Sequence, residues 1–188
     1  MVQFWSQDSR FGVKMGSESV RRILDYCNQS IPNETGGILL GRYSAAHDCA
    51  QVQRVTGPPA DSQMGKSWFV RGVRGLQTKL DALWHRKGGF YLGEWHFHPF
   101  GQPIPSSVDM KQLHEIADSR FYQCPEPLLI ILGGDPLNSW TMRSFLFRRR
   151  HKSPFELSYF ADCKESVSET SRDLASVFGS HCIGTLDL

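Results

Sequence analysis

The stretch Gly93-Glu94-Trp95-His96-Phe97-His98-Pro99, followed after a short loop by Pro105-Ser106-Ser107-Val108-Asp109, sets two histidines one residue apart and an aspartate eleven positions beyond the second. On an extended strand side chains alternate, so Glu94, His96 and His98 share one face and Trp95 and Phe97 the other. Histidines at i and i+2 stand about 6.6 Å apart along such a strand, near enough for both imidazoles to converge on one ion at ~2.0–2.1 Å. Asp109 supplies a third ligand if the loop from Pro99 to Pro105 folds the next helix back, so that its first turn points at the histidines. Two His and one carboxylate leave the fourth tetrahedral position for water, which is the pattern of a catalytic zinc and not of a closed structural one.

Zinc in such a site generates hydroxide near neutral pH and polarises a carbonyl beside it. A base must still take the proton of the water and pass it to a leaving amine. Glu94 shares the histidine face but lies two residues along, where it points away from the ion or supports a ligand. Glu34 is the better candidate, because it stands just before the Gly36-Gly37 strand, which can lie close beside the histidine strand. Ser106, one helical turn before Asp109, can cap the helix and can donate a hydrogen bond to an oxyanion. Taken singly, each of these residues has a plainer reading: half-buried histidines, a helix-start aspartate, a surface glutamate. Their joint occurrence carries the argument.

Outward from this stretch the chain alternates strand and helix signals. Residues 4 to 15 predict an edge strand centred on Phe11 to Met15. Val20, Ile23, Leu24 and Cys27 predict a helix from Ser17 to about Asn28. Residues 34 to 43 form an apolar strand with a hairpin partner near 50 to 55, and residues 57 to 66 a loop. Val73, Leu76, Leu80, Leu83 and Trp84 predict an amphipathic helix ended by Gly88-Gly89, with its apolar stripe in the core. Val108 to Ala117 give another helix, Leu128 to Leu132 a buried strand, and Ser139 to Arg149 an alternating one. From Ser153 the pattern weakens, with one short helix expected around Ser171 to Phe178. The reading is therefore one domain over residues 1–152 and a tail, 153–188, of unassigned role.

Composition agrees with a single globular domain: 188 residues, 40% hydrophobic, 21% charged. A formal charge of +2 is too small to argue for a nucleic-acid or membrane surface. The one dense basic run, Arg148-Arg149-Arg150-His151-Lys152, reads first as a solvated strand end and second as a contact for an acidic partner. Five scattered cysteines without a Cys-x-x-Cys pair speak against a disulfide framework and a thiolate zinc site. The start lacks the pattern of a secretory leader and no run reaches the ~18 apolar residues of a membrane span, so a cytoplasmic protein is expected.

The set Glu34-Thr35-Gly36-Gly37, then His96-x-His98-Pro99-x6-Ser106-x2-Asp109, resembles the JAMM signature of the JAB/MPN metallopeptidases, with every motif position filled. The resemblance runs by element order from about residue 11 to residue 149. It implies an α/β fold of the JAB/MPN, cytidine-deaminase-like type, a mixed curved β-sheet flanked by helices. It implies Zn2+ held by His96, His98 and Asp109, with Glu34 as general base and Ser106 as oxyanion partner. Phe97 stands where many members carry Ser or Thr, but strand parity turns it away from the zinc.

Tyr91 to His96 look most like the small bacterial branch found with ubiquitin-like conjugation operons. That branch includes the deconjugating peptidases of cyclic-oligonucleotide anti-phage (CBASS) systems. The implied substrate is a ubiquitin-like modifier or a conjugated protein, such as a cyclic-oligonucleotide-producing nucleotidyltransferase. The competing readings are a sulfur-carrier-protein peptidase, a DNA-repair-associated JAMM protein and a non-enzymatic MPN scaffold. Near-neutral charge weakens the DNA version, and scaffold copies usually lack a metal residue. A zinc deaminase needs His-x-Glu with Pro-Cys-x-x-Cys, and neither occurs.

Overall fold

A computed structural model describes residues 1–87 and 89–160. Where the sequence predicts one edge strand, two short strands form: Val2–Trp5 (β1) and Gly12–Met15 (β2), paired antiparallel. Helix Ser17–Ser30 (α1) follows, burying Val20, Ile23 and Cys27 at helical spacing. Thr35–Tyr43 (β3) and Cys49–Val55 (β4) make the expected hairpin. The expected loop at 57 to 66 contains part of a second, two-stranded sheet, Gln63–Gly65 (β5) with Trp68–Val70 (β6).

Helix Leu76–Lys87 (α2) leads to Phe90–Pro99 (β7), then helix Ser107–Asp118 (α3) and strands Leu128–Asp135 (β8) and Ser139–Leu146 (β9). β9 stops three residues short of Arg149, and the basic run after it is partly tied down: Arg148 pairs with Glu126 at 2.9 Å, and Arg149 donates to the Asp118 carbonyl. Among the described residues no helix is long and apolar enough to cross a membrane.

The sheet departs from the expected open, curved form. Phe155–Tyr159 (β10) pairs with both β9 and β1, so the order β1-β10-β9-β8-β7-β3-β4-β2 closes into a barrel. Closure leaves no exposed edge in this sheet. A strand of the barrel therefore lies beyond residue 152, inside the segment set apart as a tail. The helix expected at 171 to 178 falls outside the described residues. β10 escaped notice because only Leu157 of its five side chains is buried, which gives no alternating pattern to read.

Two apolar layers hold the barrel. The first gathers inward residues from all round it, including Phe4, Val13, Leu39, Val52, Leu92, Trp95, Phe97, Ile130 and Met142, together with the buried face of α1. The second covers the opposite face of the central strands, where Ile38, Leu40, Leu129, Ile131 and Phe145 meet Leu113 and Ile116 of α3 and Leu76 of α2. β8 is buried on both faces, which is why it reads as an unbroken apolar run. α2 does not place its whole stripe in the core: Leu76 is buried, but Val73 and Trp84 are exposed along an open groove of about 690 Å3. The side chain of Leu83 lies outside the described residues.

Candidate metal centre

β7 fixes the site by parity. Trp95 and Phe97 point into the barrel, so Glu94, His96 and His98 take the other face, as the alternation requires. One feature of this strand is invisible in a simple period of two. Leu92 and Trp95 are three residues apart, yet both face inward. A bulge opposite Leu39/Leu40 resets the phase, with Gly93 at φ 144, a region side chains rarely adopt. A Cβ on Gly93 would lie 2.0 Å from the Leu128 carbonyl oxygen. The reset puts Tyr91 on the same face as Glu94, and its hydroxyl donates to Glu94 Oε1 at 3.2 Å.

β3 brings up Glu34. Gly36 pairs with His96 and Thr35 with Phe97, so the residue before Thr35 continues the ladder toward His98, and Glu34 shares the face of His96 and His98. Gly36 makes the approach possible: a Cβ there would stand 2.5 Å from the Trp95 carbonyl oxygen and 2.8 Å from His96 Cδ2. Burial raises the pKa of Glu34 above the ordinary carboxylate range; Asp109 adds to the rise, and His98 and His96 partly oppose it. The Glu34 N–H donates to the Gly65 carbonyl at 2.8 Å, which holds the β5–β6 hairpin beside it.

The loop after β7 folds α3 back as expected. Ser106 caps α3 in a capping box: its hydroxyl and N–H each donate to Asp109 Oδ2 at 2.8 Å, and the Asp109 N–H donates to Ser106 Oγ. Asp109 is thereby held buried against both histidines, 2.6 Å from His96 Nδ1 and 3.8 Å from His98 Nε2. Burial would lower the pKa of His96, but its bonds to Asp109 and Glu94 raise it to about 9. Burial would likewise raise that of Asp109, and the His96 and Ser106 bonds bring it to about 2. The far nitrogen of His98, Nδ1, donates to the Gln102 carbonyl at 3.1 Å.

Glu94 takes up the supporting place behind His96 that the sequence offered as one of its two readings, 3.5 Å from His96 Nε2; the partners that hold it there were not legible. Glu94 is wholly buried. It accepts from Arg71 Nε at 2.9 Å and Nη2 at 2.8 Å, and from Gln112 Nε2 at 2.9 Å. Burial alone would raise its pKa, but His96 and the Arg71 guanidinium hold it below the ordinary value. A carboxylate inside the buried run from Tyr91 to Phe97 signals a hidden cation; which arginine supplies it is not written in the sequence. Phe69 of β6 sets its ring edge-on to His96, with centroids 5.6 Å apart.

This fold, carrying this site, defines a JAB-type protein. Residues 17–146 match the family model of the prokaryotic homologues of the JAB domain, and the chain belongs to that family. Among its relatives is the CD-NTase/cGAS isopeptidase of Enterobacter hormaechei subsp. hoffmannii, 43% identical over 75% of this chain and 78% of that one. A probable metalloprotease of Sinorhizobium fredii is 32% identical over 62% of this chain and 77% of the other. A protein of Desulfitobacterium hafniense with a known solution structure shares the fold, with a TM-score of 0.59 and 23% identity over 78% of this chain and 90% of that one.

The family and the metalloprotease relative imply a metal. Among the described residues no group of three His, Cys, Asp or Glu side chains is arranged to hold a metal ion as it stands. The donor set nevertheless fits one. His96 Nδ1 lies 2.6 Å from Asp109 Oδ1 and His98 Nε2 3.8 Å from Asp109 Oδ2, so two imidazole nitrogens and one carboxylate, the donors of a zinc site with an open position, meet at one place.

Proposed function

We propose that this chain is a zinc-dependent isopeptidase. Its reaction is hydrolysis of the bond between a target amine and the C-terminal glycine of a ubiquitin-like modifier or a conjugated protein. The observation that carries the reading is the convergence of His96 and His98 on one buried carboxylate, Asp109, with Glu34 on the same face. His96, His98 and Asp109 would hold Zn2+, which supplies Lewis-acid polarisation of a carbonyl and activation of water near neutral pH.

The rest of the chemistry belongs to the chain. Glu34 takes a proton from the attacking water and delivers it to the leaving amine, a role suited by a carboxylate whose pKa burial has raised. The exposed Ser106 hydroxyl, turned from Asp109 toward the developing oxyanion, donates to it, while the Ser106 N–H keeps Asp109 in place. The β5–β6 hairpin, tied next to Glu34, offers strand pairing to an extended glycine tail, and the loop from Pro99 to Pro105 lines the other side. Similarity to a CD-NTase/cGAS isopeptidase supports a nucleotidyltransferase conjugate as substrate; an anti-phage role in the cytoplasm is part of the same proposal and rests on the family resemblance of the sequence.

The test uses such a nucleotidyltransferase, joined through its C-terminal glycine to a lysine side chain. Phenanthroline should abolish release of the glycine carboxylate, and added zinc should restore it. Release that survives complete removal of metal would refute the zinc assignment.

A further inference from the structure

We infer that Glu94 is a positioning residue that selects which nitrogen of His96 is offered to a metal, and that Arg71 fixes Glu94 for this purpose. The inference rests on the metal site proposed above and adds to it a specific division of labour along β7.

Both ring nitrogens of His96 face a carboxylate. Nδ1 lies 2.6 Å from Asp109 Oδ1, and Nε2 lies 3.5 Å from Glu94 Oε2. The second contact is at the outer limit of a hydrogen bond, and Nε2 is otherwise a buried nitrogen without a partner. Glu94 itself has no freedom to turn. Its Oε1 is gripped by the Arg71 fork and the Tyr91 hydroxyl, and its Oε2 receives Gln112 Nε2. Those partners come from three places: the segment after β6, β7 itself and α3.

An ionised carboxylate only accepts hydrogen bonds. Oε2 can therefore stabilise His96 only when Nε2 carries the ring proton, which leaves Nδ1 bare on the Asp109 side, where the metal would sit. His98 is set by the opposite arrangement: its Nδ1–H goes to the Gln102 carbonyl, leaving Nε2 toward Asp109. The two histidines thus present different nitrogens, one chosen by a backbone carbonyl and the other by a buried carboxylate. Such outer partners fix ring orientation and typically account for 10–100-fold in metal affinity. Because Arg71 follows the β5–β6 hairpin directly, the placement of that hairpin is linked to His96 through Glu94.

Glu94→Gln tests this with almost no change of shape. The amide can present a donor to Nε2, moving the ring proton to Nδ1. Zinc affinity, read by competition with a chromogenic chelator, should fall 10–100-fold in Glu94→Gln, with circular dichroism unchanged, and Glu94→Asp should recover part of it. Nitrogen NMR of the zinc-loaded wild type should show His96 protonated at Nε2 and metal-bound at Nδ1. Affinity of Glu94→Gln within twofold of wild type, or zinc on Nε2 of His96, would overturn the inference while leaving the metal site standing. The NMR reading needs only the wild type and decides the matter even if the variant does not fold. Wild-type affinity in His98→Ala, or no zinc binding by the wild type, would instead overturn the site itself and this inference with it.

Discussion

On the inner face of β7, Trp95 and Phe97 are wholly buried among apolar residues of the barrel. On its outer face, two residues also withdrawn from water, Glu94 and His96, lie against charged and polar partners, and His98 stands at the rim. Volume decides the first face and partner count the second. Trp95 fills space, stacks on Tyr26 and spends its single donor on the Thr56 carbonyl. Glu94 would be ruinous where it is without Arg71, Tyr91 and Gln112. A strand with both faces buried can therefore hold fold and chemistry together, provided each polar group on the outer side is matched.

The sharpest way to break the comparison is to truncate one residue on each face. Trp95→Ala should cost about 3–5 kcal/mol of stability through lost burial and a cavity, seen as a large drop in the urea midpoint. His98→Ala, on the other face, should leave the midpoint of metal-free protein nearly unchanged while removing bound zinc. Equal destabilisation by the two would show that the faces are not specialised. A smaller effect is expected from Ser106→Ala, which removes the α3 cap and one of the bonds on Asp109: about 1 kcal/mol of stability, with zinc affinity reduced and not abolished. Calorimetry and chelator competition on the same sample separate the two effects.

A further effect is a pH dependence that belongs to the polar face. In metal-free protein the His96 pKa is raised from an ordinary 6.5 to about 9. The protonated ring then adds stability that is fully present below 6.5 and is lost as pH rises through about 9. Asp109 is shifted the other way, from 3.8 to about 2, so its share is present above 3.8 and lost as pH falls through about 2. The melting temperature of chelated protein should therefore decline between pH 6.5 and 9, and His96→Ala should flatten that slope. A slope unchanged by the substitution would place its origin elsewhere.

Much of the site was legible because it obeys local rules. Alternation put His96 and His98 on one face, Ser106 and Asp109 announced a helix start, and Gly36-Gly37 allowed a neighbouring strand to come close. What escaped notice depends on partners distant in sequence. The phase reset at Gly93, which brings Tyr91 to Glu94, follows from pairing with β3. The choice of Arg71 over the other arginines follows from where the chain returns after β6. Barrel closure by β10 rests on backbone pairing, with one buried side chain, Leu157, to mark it. On α2 the spacing of Trp84 was right for a helix but said nothing about how far another element would cover it, and with the Phe90 ring edge-on against it Trp84 stays more than half exposed.

The central claim is that the outer face of β7 is a metal-dependent hydrolytic site whose base, Glu34, stands just before β3. The most direct measurement is zinc content and single-turnover cleavage of the glycine-to-lysine conjugate by Glu34→Gln beside the wild type. The account predicts one zinc per chain in both proteins, and cleavage slower by about 10²–10⁴ in the variant, the contribution of a general base. Wild-type cleavage by Glu34→Gln with its zinc in place would contradict it.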